Sequence, residues 1–451
     1  MKVAVVYNEE YPELENEYST NLPQKLDFEP YFEIEESDPI AEYEELAADL
    51  RRVGFNAYIL NIRDNIDIFF KDYEKNKPDV VFNFVEIYKD NAGLEMGFAA
   101  ILELMQIPYT GAPPLALATC QNKMLTKKIL KTVGIRTAEY QLITEQKKIY
   151  RHKLNYPIIT KPALEDASVG IDVGAVVTNH KKLKARIDYI LEEFQQPVLL
   201  EEYIEGRELN VAVLGDKKPK VLPISEIDFS EMPDHLYNIV SYQAKWEPHH
   251  EAYHKTIPIC PAPLPERITK EAGEIALTCF KTMGVRDYSR IDMRLAEDNK
   301  LYVLEVNPNP DLTADAGFMR SANYAGLSYR QTLKRIVLLA AKPRRRGFGD
   351  GLLSFCVSRL LVQNRRMYIG IPHDSGNDLS VVDTFVDQIF RATTERDFIL
   401  QLFLVLQPAI YSTFHCSARF VKFVNEGNRY SIISLLCRAT LFHHRFPTSL
   451  M

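Results

Sequence analysis

The sequence predicts an α/β doubly wound domain at the N-terminus, followed by α+β subdomains and an extra C-terminal segment of uncertain fold. Short apolar runs alternate with helical patterns up to about residue 115, and runs typical of antiparallel strands dominate from there to about residue 346. The length of 451 residues also exceeds that of one domain of roughly 100–200 residues. We therefore expect units at residues 1–115, 116–205 and 206–346, with 347–451 unassigned.

The N-terminal elements follow from local patterns. Residues 3–7 are an apolar run typical of a first parallel strand, whereas residues 9–38 contain eleven acidic residues and one lysine, which predicts an irregular segment. A helix is predicted to begin at Pro39 and to end before Gly54. Its apolar stripe consists of Ile40, Tyr43, Leu46, Ala47 and Leu50. Further strands are predicted at residues 57–61, 80–85, 157–161, 198–203, 210–214, 290–295 and 301–306, and helices at 94–105 and 324–341.

The composition excludes several classes of protein. Sixty-one acidic residues against 54 basic ones give a net charge of −7, which is the wrong sign for a protein that binds nucleic acid through its phosphates. No window approaches the roughly 20 apolar residues of a membrane span, and the first residues lack a signal-peptide pattern. The six cysteines have no metal-binding spacing. We expect a soluble cytoplasmic protein with reduced thiols and no nucleic-acid or membrane partner.

The C-terminal segment differs from the rest of the chain. Residues 347–451 contain one lysine and nine arginines, whereas residues 1–346 contain 27 lysines and 17 arginines. No motif that carries chemistry is found in this segment, so it is either an appended module or an irregular extension.

The most informative segment is a predicted hairpin at residues 290–307. Alternation places one set of side chains on its apolar face: Ile291, Met293, Leu295, Tyr302, Leu304 and Val306. The opposite face then carries Arg290, Asp292, Glu305 and Asn307. Neighbouring positions on paired strands lie about 4.5–5.5 Å apart, so these oxygen atoms can converge as ligands for Mg²⁺. The alternative is a solvated face on which the carboxylates pair with Arg290 and Arg294.

Two other segments can contribute to the same pocket. An apolar strand ends at Lys161 and is followed by a loop of small residues at 163–170, whose amides can lie over phosphates although the loop is not a Walker A sequence. A second strand, at residues 198–204, carries carboxylates and leads into Glu208. Each segment taken alone also fits ordinary structure.

Taken together and in order, these segments resemble the ATP-grasp superfamily and, within it, the D-alanine–D-alanine ligase family, over roughly residues 1–341. The shared blocks are residues 102–111 (LELMQIPYTG), 122–123 (NK), 160–162 (TKP), 168–170 (SVG), 243–246 (QAKW), 260–262 (CPA), 290–292 (RID) and 304–307 (LEVN). The resemblance implies an ATP site between two α+β subdomains.

The resemblance also implies roles for individual residues. The phosphate ligands would be Lys123, Lys161 and Lys245, with Ser168 directed at the γ-phosphate from a flexible cover at residues 165–170. The adenine edge would be formed by Glu201, Glu202, Tyr203 and Ile204, and Glu208 would bind the ribose hydroxyls. The magnesium ligands would be Asp292, Glu305 and Asn307, and Arg290 would stabilise charge on the acyl phosphate and the tetrahedral intermediate.

The implied activity is an ATP-dependent ligation of a carboxylate to an amine, with ATP and Mg²⁺ as cofactors and Mn²⁺ as an alternative ion. A carboxylate is a poor electrophile and must first be converted to an acyl phosphate, a transfer that needs positioned cations more than a covalent nucleophile. The implied partners are small-molecule amino acids, and members of the family commonly form homodimers.

The sequence departs from the family at three places, all in the amino-acid pockets. The usual segment after the first strand is replaced at residues 7–12, the His-Gly block at 83–88, and the block after the metal ligands at 309–312, with Ala316 near the usual serine. Two alternatives to D-alanine–D-alanine ligation therefore remain open: a ligase of the same mechanism for other amino acids or peptides, and a non-catalytic nucleotide-binding protein.

Overall fold

The computed structural model describes residues 1–9 and 39–342. The acidic segment from residue 10 to 38 and the C-terminal segment from residue 343 lie outside the described residues. The strands are β1 Lys2–Tyr7, β2 Asn56–Asn61, β3 Val80–Phe84, β4 Tyr140–Ile143, β5 Ile158–Pro162, β6 Val176–Val177, β7 Val198–Glu202, β8 Arg207–Gly215, β9 Lys220–Val221, β10 Ser225–Asp228, β11 Ile257–Ile259, β12 Asp287–Leu295 and β13 Leu301–Asn307. The helices are α1 Pro39–Arg52, α2 Ile66–Asn76, α3 Glu95–Leu104, α4 Pro114–Gln121, α5 Lys123–Thr132, α6 His180–Glu193, α7 Tyr242–Trp246, α8 Glu251–His254, α9 Glu266–Thr282, α10 Gly317–Tyr324 and α11 Tyr329–Ala340.

The first sheet is parallel, with β1 between β2 and β3. Val3 and Val5 point to one face, where they join a core with residues of α1 and α11, while Ala4 and Val6 point to the other face and join residues of α2 and α3. Both faces of the sheet are therefore covered by helices, as expected for a doubly wound arrangement.

The other two sheets are antiparallel. One has the strand order β4-β7-β5-β6 and is covered by α6, whose Leu183, Ile187 and Ile190 are fully buried against it. The other has the order β11-β10-β8-β12-β13, with β9 paired to β8, and packs against α9. The long central strands β8 and β12 pair over nine residues, which makes this sheet the rigid support for the site described below.

The predicted helix at residues 324–341 is found as α11 but begins five residues later than predicted, because Tyr324 is the last residue of a separate helix, α10. The first, α10, ends at Tyr324, and Gly326 then adopts a positive φ of 83° that stops the helix. The second, α11, begins after Ser328, whose hydroxyl accepts a hydrogen bond from the backbone of Gln331 in a capping box. The Gly and Ser signals were present in the sequence and define the true boundary.

The predicted apolar face of the hairpin is partly wrong, because β13 contains a bulge. Asp292 pairs with Glu305, but the next pair is Met293 with Val303, so Leu304 is an extra residue. Val303 is consequently buried, together with Leu301 and Val306, whereas Tyr302 and Leu304 are only partly buried. Strict alternation cannot anticipate this shift, which leaves the opposite face at Arg290, Asp292, Glu305 and Asn307 unchanged.

The described residues also bear on the predictions made from composition about membrane spans and cysteines. Among the helices of the described residues, none is long and apolar enough to cross a membrane. Cys120 and Cys279 are buried free thiols and Cys260 is a partly buried one, while the other three cysteines lie outside the described residues.

Candidate active site

The carboxylates of the hairpin converge where the middle of β12 pairs with the last residues of β13. Asp292 and Glu305 face each other across the two strands. Asn307 donates from Nδ2 to Asp292 Oδ2 over 2.8 Å and to Glu305 Oε1 over 3.3 Å. The three side chains expected to bind metal therefore form one contiguous group rather than a dispersed, solvated face.

Arg290 lies directly against this group. Its Nε donates to Asp292 Oδ1 and its Nη2 donates to Asp292 Oδ2, both over 2.8 Å. Burial opposes the charge of the guanidinium, but Asp292 and Glu305 outweigh burial and raise the pKa of Arg290 above its usual range. Arg290 therefore remains charged at any pH at which the protein is folded.

The donor set suits a hard divalent cation. Two carboxylates and one amide supply oxygen ligands from adjacent strands, and Mg²⁺ prefers oxygen donors of this kind. Asn210 on β8 donates to Asp292 Oδ1 over 2.8 Å and fixes the orientation of the carboxylate. The residues present therefore fit a magnesium ion.

Lys123 connects the carboxylate group to the neighbouring sheet. Asn122 caps α5 by accepting a hydrogen bond from the backbone of Leu125, which places Lys123 in the first turn of the helix. Lys123 Nζ donates to the backbone oxygen of Glu165 and lies 3.9 Å from Glu305 Oε2. One ammonium group thus contacts both the loop predicted to cover the nucleotide and a predicted metal ligand.

Lys161 takes part in a buried network of charges. Its Nζ donates to Glu201 Oε2 over 2.9 Å, and Lys127 Nζ lies 2.9 Å from Glu201 Oε1. Burial alone would raise the pKa of Glu201, but the two lysines outweigh it and lower that pKa to about 2. Glu201 therefore lies between two lysines, a setting that the expected role at an adenine edge did not anticipate.

The predicted cover is closed by contacts with the segment at 240–246. Ser168 Oγ donates to the backbone oxygen of Val240 over 2.9 Å, and Trp246 Nε1 donates to the backbone oxygen of Ala167 over the same distance. Ala167 and Ser168 both have positive φ values, of 51° and 65°. Residues other than glycine rarely adopt this region, so these contacts hold the loop in a constrained conformation.

Lys245 lies on α7, beside the cover. Its Nζ is 4.9 Å from the centre of the Trp246 ring. Lys245 also interacts electrostatically with Glu86, which follows β3.

Four predicted nucleotide ligands lie where β7 ends and β8 begins. Glu202 accepts hydrogen bonds from the backbone and side chain of Asn155, both over 2.8 Å, and Tyr203 N donates to the backbone oxygen of Pro157. Ile204 follows directly and is partly buried. Glu208 is buried and accepts a hydrogen bond from Arg294 Nη2 over 2.8 Å. Burial raises the pKa of Glu208, against the opposing effect of Arg294, and Asp292 and Glu305 raise it further.

Two residues that support the site, Lys127 and Asn210, were not predicted from the sequence, and Arg294 pairs with Glu208 rather than with the hairpin carboxylates. Lys127 follows Lys123 by four residues on α5, a spacing that places both on one helical face. Asn210 follows Glu208 by two residues on β8, so the two share one face of the strand. These spacings were the available signals, but neither identifies a partner on another element.

Two carboxylates border the site on the side of the first sheet. Partial removal from water by the loops around it and the negative charges of Asp311 and Asp166 raise the pKa of Glu86 above its usual range, although the residue is exposed at the surface. Removal from water and the charge of Glu86 raise the pKa of Glu95 to about 8, although Asn309 Nδ2 donates to Glu95 Oε1 over 3.0 Å. Glu86 and Asp311 belong to the segments in which the sequence departs from the family.

The sequence is similar to those of known ligases. The family model of the D-ala D-ala ligase C-terminus matches residues 129–338. The D-alanine–D-alanine ligase of Desulforamulus reducens is 32% identical over 287 residues, covering 58% of this chain and 86% of the relative. The corresponding ligase of Carboxydothermus hydrogenoformans is 29% identical, covering 66% and 91%. An uncharacterized protein of Sinorhizobium fredii is 30% identical, covering 56% and 71%.

A solved structure shows the same fold. The D-alanine–D-alanine ligase of Bacillus anthracis, complexed with ATP, superposes with a TM-score of 0.56 at 21% identity and covers 75% of this chain and 97% of that chain. The fold is the mixed α/β fold of the ATP-grasp ligases. The chain belongs to the D-alanine–D-alanine ligase family.

Proposed function

We propose that this protein joins two amino acids by ATP-dependent ligation through an acyl phosphate, with D-alanine as the first substrate to consider. The observation that carries the proposal is the contact group of Arg290, Asp292, Glu305 and Asn307, with Lys123 3.9 Å from Glu305. A binding protein without chemistry would not need this complete set of cations and metal-binding oxygens, which favours an enzyme over a non-catalytic nucleotide-binding protein.

ATP would bind between the two antiparallel sheets. Lys123, Lys161 and Lys245 would neutralise its phosphates, and the cover at residues 165–170 would exclude water. Glu202, Tyr203 and Ile204 would border the adenine, with Glu201 behind them, and Glu208 would accept hydrogen bonds from the ribose. Asp292, Glu305 and Asn307 would hold Mg²⁺, which supplies positive charge beside the transferred phosphoryl group.

The chemistry follows from the positions of these residues. An oxygen of the first substrate's carboxylate attacks the γ-phosphorus of ATP, and the bond to the bridging oxygen breaks to release ADP. The amine of the second substrate then attacks the acyl carbon, and phosphate leaves. Arg290 would stabilise the oxyanion formed in this step, because its guanidinium is charged and is held rigidly by Asp292.

The same mechanism with other amino acids is the second candidate. The observation that favours it is the location of the three departures from the family pattern, since Glu86 and Asp311 lie in two of them and interact with each other electrostatically. These carboxylates border the side of the cleft at which the amino acids would bind, whereas the predicted ligands of ATP and Mg²⁺ match the family.

The proposal includes three structural assignments. Residues 1–115 would form the N-terminal domain, residues 116–205 the central ATP-grasp subdomain, and residues 206–346 the subdomain with the metal site. The enzyme would act on small amino acids in the cytoplasm, where ATP is available, and would form a homodimer as its family commonly does.

The test is release of phosphate from ATP and Mg²⁺ in the presence of each D- and L-amino acid in turn, with Arg290→Ala as the comparison. Release that depends on D-alanine, is lost in Arg290→Ala and is accompanied by the dipeptide supports the first candidate. Release that depends on another amino acid supports the second. ATP binding without release for any single amino acid or pair, in wild-type protein, contradicts both.

A further inference from the structure

Lys127 is buried at the centre of the nucleotide side of the site, although it is not among the expected nucleotide ligands. Its side chain is 2% exposed, as is that of Glu201, whereas the side chain of Lys161 is 12% exposed. Lys127 is thus screened from solvent by the elements around it. A lysine is rarely buried to this degree unless it is paired.

The pairing of Lys127 is specific to Glu201. Lys127 Nζ lies 2.9 Å from Glu201 Oε1, and within residues 1–9 and 39–342 no hydrogen-bond partner satisfies this ammonium group. The other carboxylate oxygen, Oε2, accepts a hydrogen bond from Lys161 Nζ over 2.9 Å. The three residues therefore form a chain of charges in which Glu201 lies between Lys127 and Lys161.

The elements that carry these residues fix this arrangement. Glu201 on β7 pairs with Ile159 on β5, so Lys161, two residues further along β5, lies on the same face of the sheet. Lys127 extends from the middle of α5, one turn after Lys123. The same helix thus contributes one lysine that contacts the cover loop and a second that contacts the carboxylate behind Lys161.

The charges of the group suggest what Lys127 does. Two ammonium groups and one carboxylate give a net charge of +1 behind the phosphates. Without Lys127, Glu201 would cancel the charge of Lys161 and hold its ammonium group in an isolated ion pair. The electrostatic attraction of this region for phosphates would then be lost, even though Lys161 itself is unchanged.

We propose that Lys127 is a positioning residue for nucleotide binding, which balances the charge of Glu201 so that Lys161 can interact with the phosphates of ATP. This inference rests on the proposed function only in taking Lys161 as a phosphate ligand. It adds a residue that does not touch the nucleotide and assigns Glu201 to the support of Lys161.

The test is nucleotide binding in the absence of amino acids, measured by displacement of a fluorescent ATP analogue with ATP and with adenosine. Lys127→Met reduces the net charge of the group to zero, and we expect ATP to bind about tenfold or more weakly, which corresponds to one nearby charge lost. Adenosine has no phosphates, so its affinity should change by less than about threefold.

The double variant Lys127→Met/Glu201→Gln restores the net charge of +1 and leaves no unpaired buried carboxylate. We expect its ratio of ATP affinity to adenosine affinity to lie within about threefold of the wild-type ratio, a comparison that cancels any effect of Glu201→Gln on the adenine. If Lys127→Met does not fold, the double variant still tests the inference, because it removes Lys127 while keeping the net charge of the group. Its relative affinity for ATP and adenosine is then compared with that of the wild type. Lys131→Met is the matched control, since Lys131 lies one turn further along α5 in an exposed pair with Glu139.

The outcomes separate this inference from the proposed function. If wild-type protein binds no ATP, the proposed function fails. If wild-type protein binds ATP and Lys127→Met binds it equally well, only the inference fails. An equal loss of affinity for ATP and adenosine in Lys127→Met also overturns the inference, because it indicates a role in adenine binding or in general structure. A double variant whose ratio of ATP affinity to adenosine affinity is at least tenfold below the wild-type ratio overturns it as well, because the balance of charge is then not what supports phosphate binding.

Discussion

Arg290 and Asp292 lie two residues apart on one strand and form a two-point ion pair, with both nitrogen–oxygen distances at 2.8 Å. The pair lies on the face of β12 that points away from the core. Asp292 therefore has two roles in the proposed mechanism: it is a ligand for Mg²⁺, and it fixes the orientation of the residue that would stabilise the oxyanion.

This pair predicts that Arg290→Lys will not preserve activity. Lysine keeps the positive charge but cannot donate to both oxygens of Asp292 in a fixed plane. We expect kcat to fall by about 10²–10³-fold, as for loss of a comparable oxyanion donor, with ATP affinity changed by less than about threefold. Steady-state release of ADP, together with nucleotide binding, measures both quantities. A kcat within fivefold of the wild type would show that charge alone suffices.

The buried pair of Arg294 and Glu208 predicts a large effect on stability. Arg294→Leu would leave the carboxylate of Glu208, which is 8% exposed, without its partner. We expect a loss of about 3–5 kcal/mol in the free energy of unfolding, measured in urea. Lys255→Met, which removes an exposed pair with Glu231, should cost about 1 kcal/mol or less. A similar cost for both variants would contradict this interpretation.

The bulge in β13 predicts which neighbouring side chain supports the core. Val303→Ala removes atoms from a fully buried position and should destabilise the protein by about 1–2.5 kcal/mol. Leu304→Ala removes a larger but partly exposed side chain and should cost less. Unfolding in urea compares the two variants directly, and the opposite order would indicate that β13 pairs without the bulge.

Trp246 offers a direct signal for nucleotide binding, because it is the only tryptophan in the sequence. Its ring donates a hydrogen bond to the cover at Ala167 and is half exposed to solvent. We expect addition of ATP and Mg²⁺ to change the intensity or wavelength of its fluorescence, and Ser168→Ala to leave a weaker response. Fluorescence that stays constant at saturating ATP would show that the cover does not respond to the nucleotide.

Replacement of Glu95 by a neutral residue is expected to stabilise the protein in a pH-dependent way. The folded-state pKa of Glu95 is raised to about 8 from a usual value near 4.5, so ionisation opposes folding as the pH rises from about 4.5 to 8. Glu95→Gln keeps an acceptor for Asn309 without the charge. We expect it to increase the free energy of unfolding by roughly 1–2 kcal/mol at pH 8 and to have little effect at pH 4.5, allowing for partial exposure. Glu74→Gln, on the exposed face of α2, is the control, and an equal effect at both pH values would contradict the prediction.

The sequence alone predicts those features for which the local hydrophobic pattern and the residue types agree. Periodicity and residue type predict the strands that carry Asp292 and Glu305, the buried stripe of Leu46, Ala47 and Leu50, and the lysine near the end of β5. These features depend on residues that are close in the chain, so one segment is enough to predict each of them.

Contacts between distant segments could not be predicted in this way. From the sequence, Lys127 on an amphipathic helix is expected to face solvent. The fold instead places Glu201 of β7 beside it. The bulge after Asp292 depends on how β12 pairs with β13, which alternation within one strand does not record. The break before α11 is a different case, since Gly326 and Ser328 were sufficient signals that the hydrophobic periodicity obscured.

The helix α11, at residues 329–340, covers one face of the parallel sheet, whose strand β1 begins at Lys2. Val3 and Val5 share one buried cluster with Ile336 and Val337, so the two ends of the described chain depend on each other. A fragment limited to residues 1–115 would keep α1 but would expose the part of this sheet face that α11 covers, as an apolar surface that favours aggregation. Any exchange of the N-terminal region between related enzymes would therefore have to transfer the first strand and α11 together. Any circular permutant would likewise have to keep both.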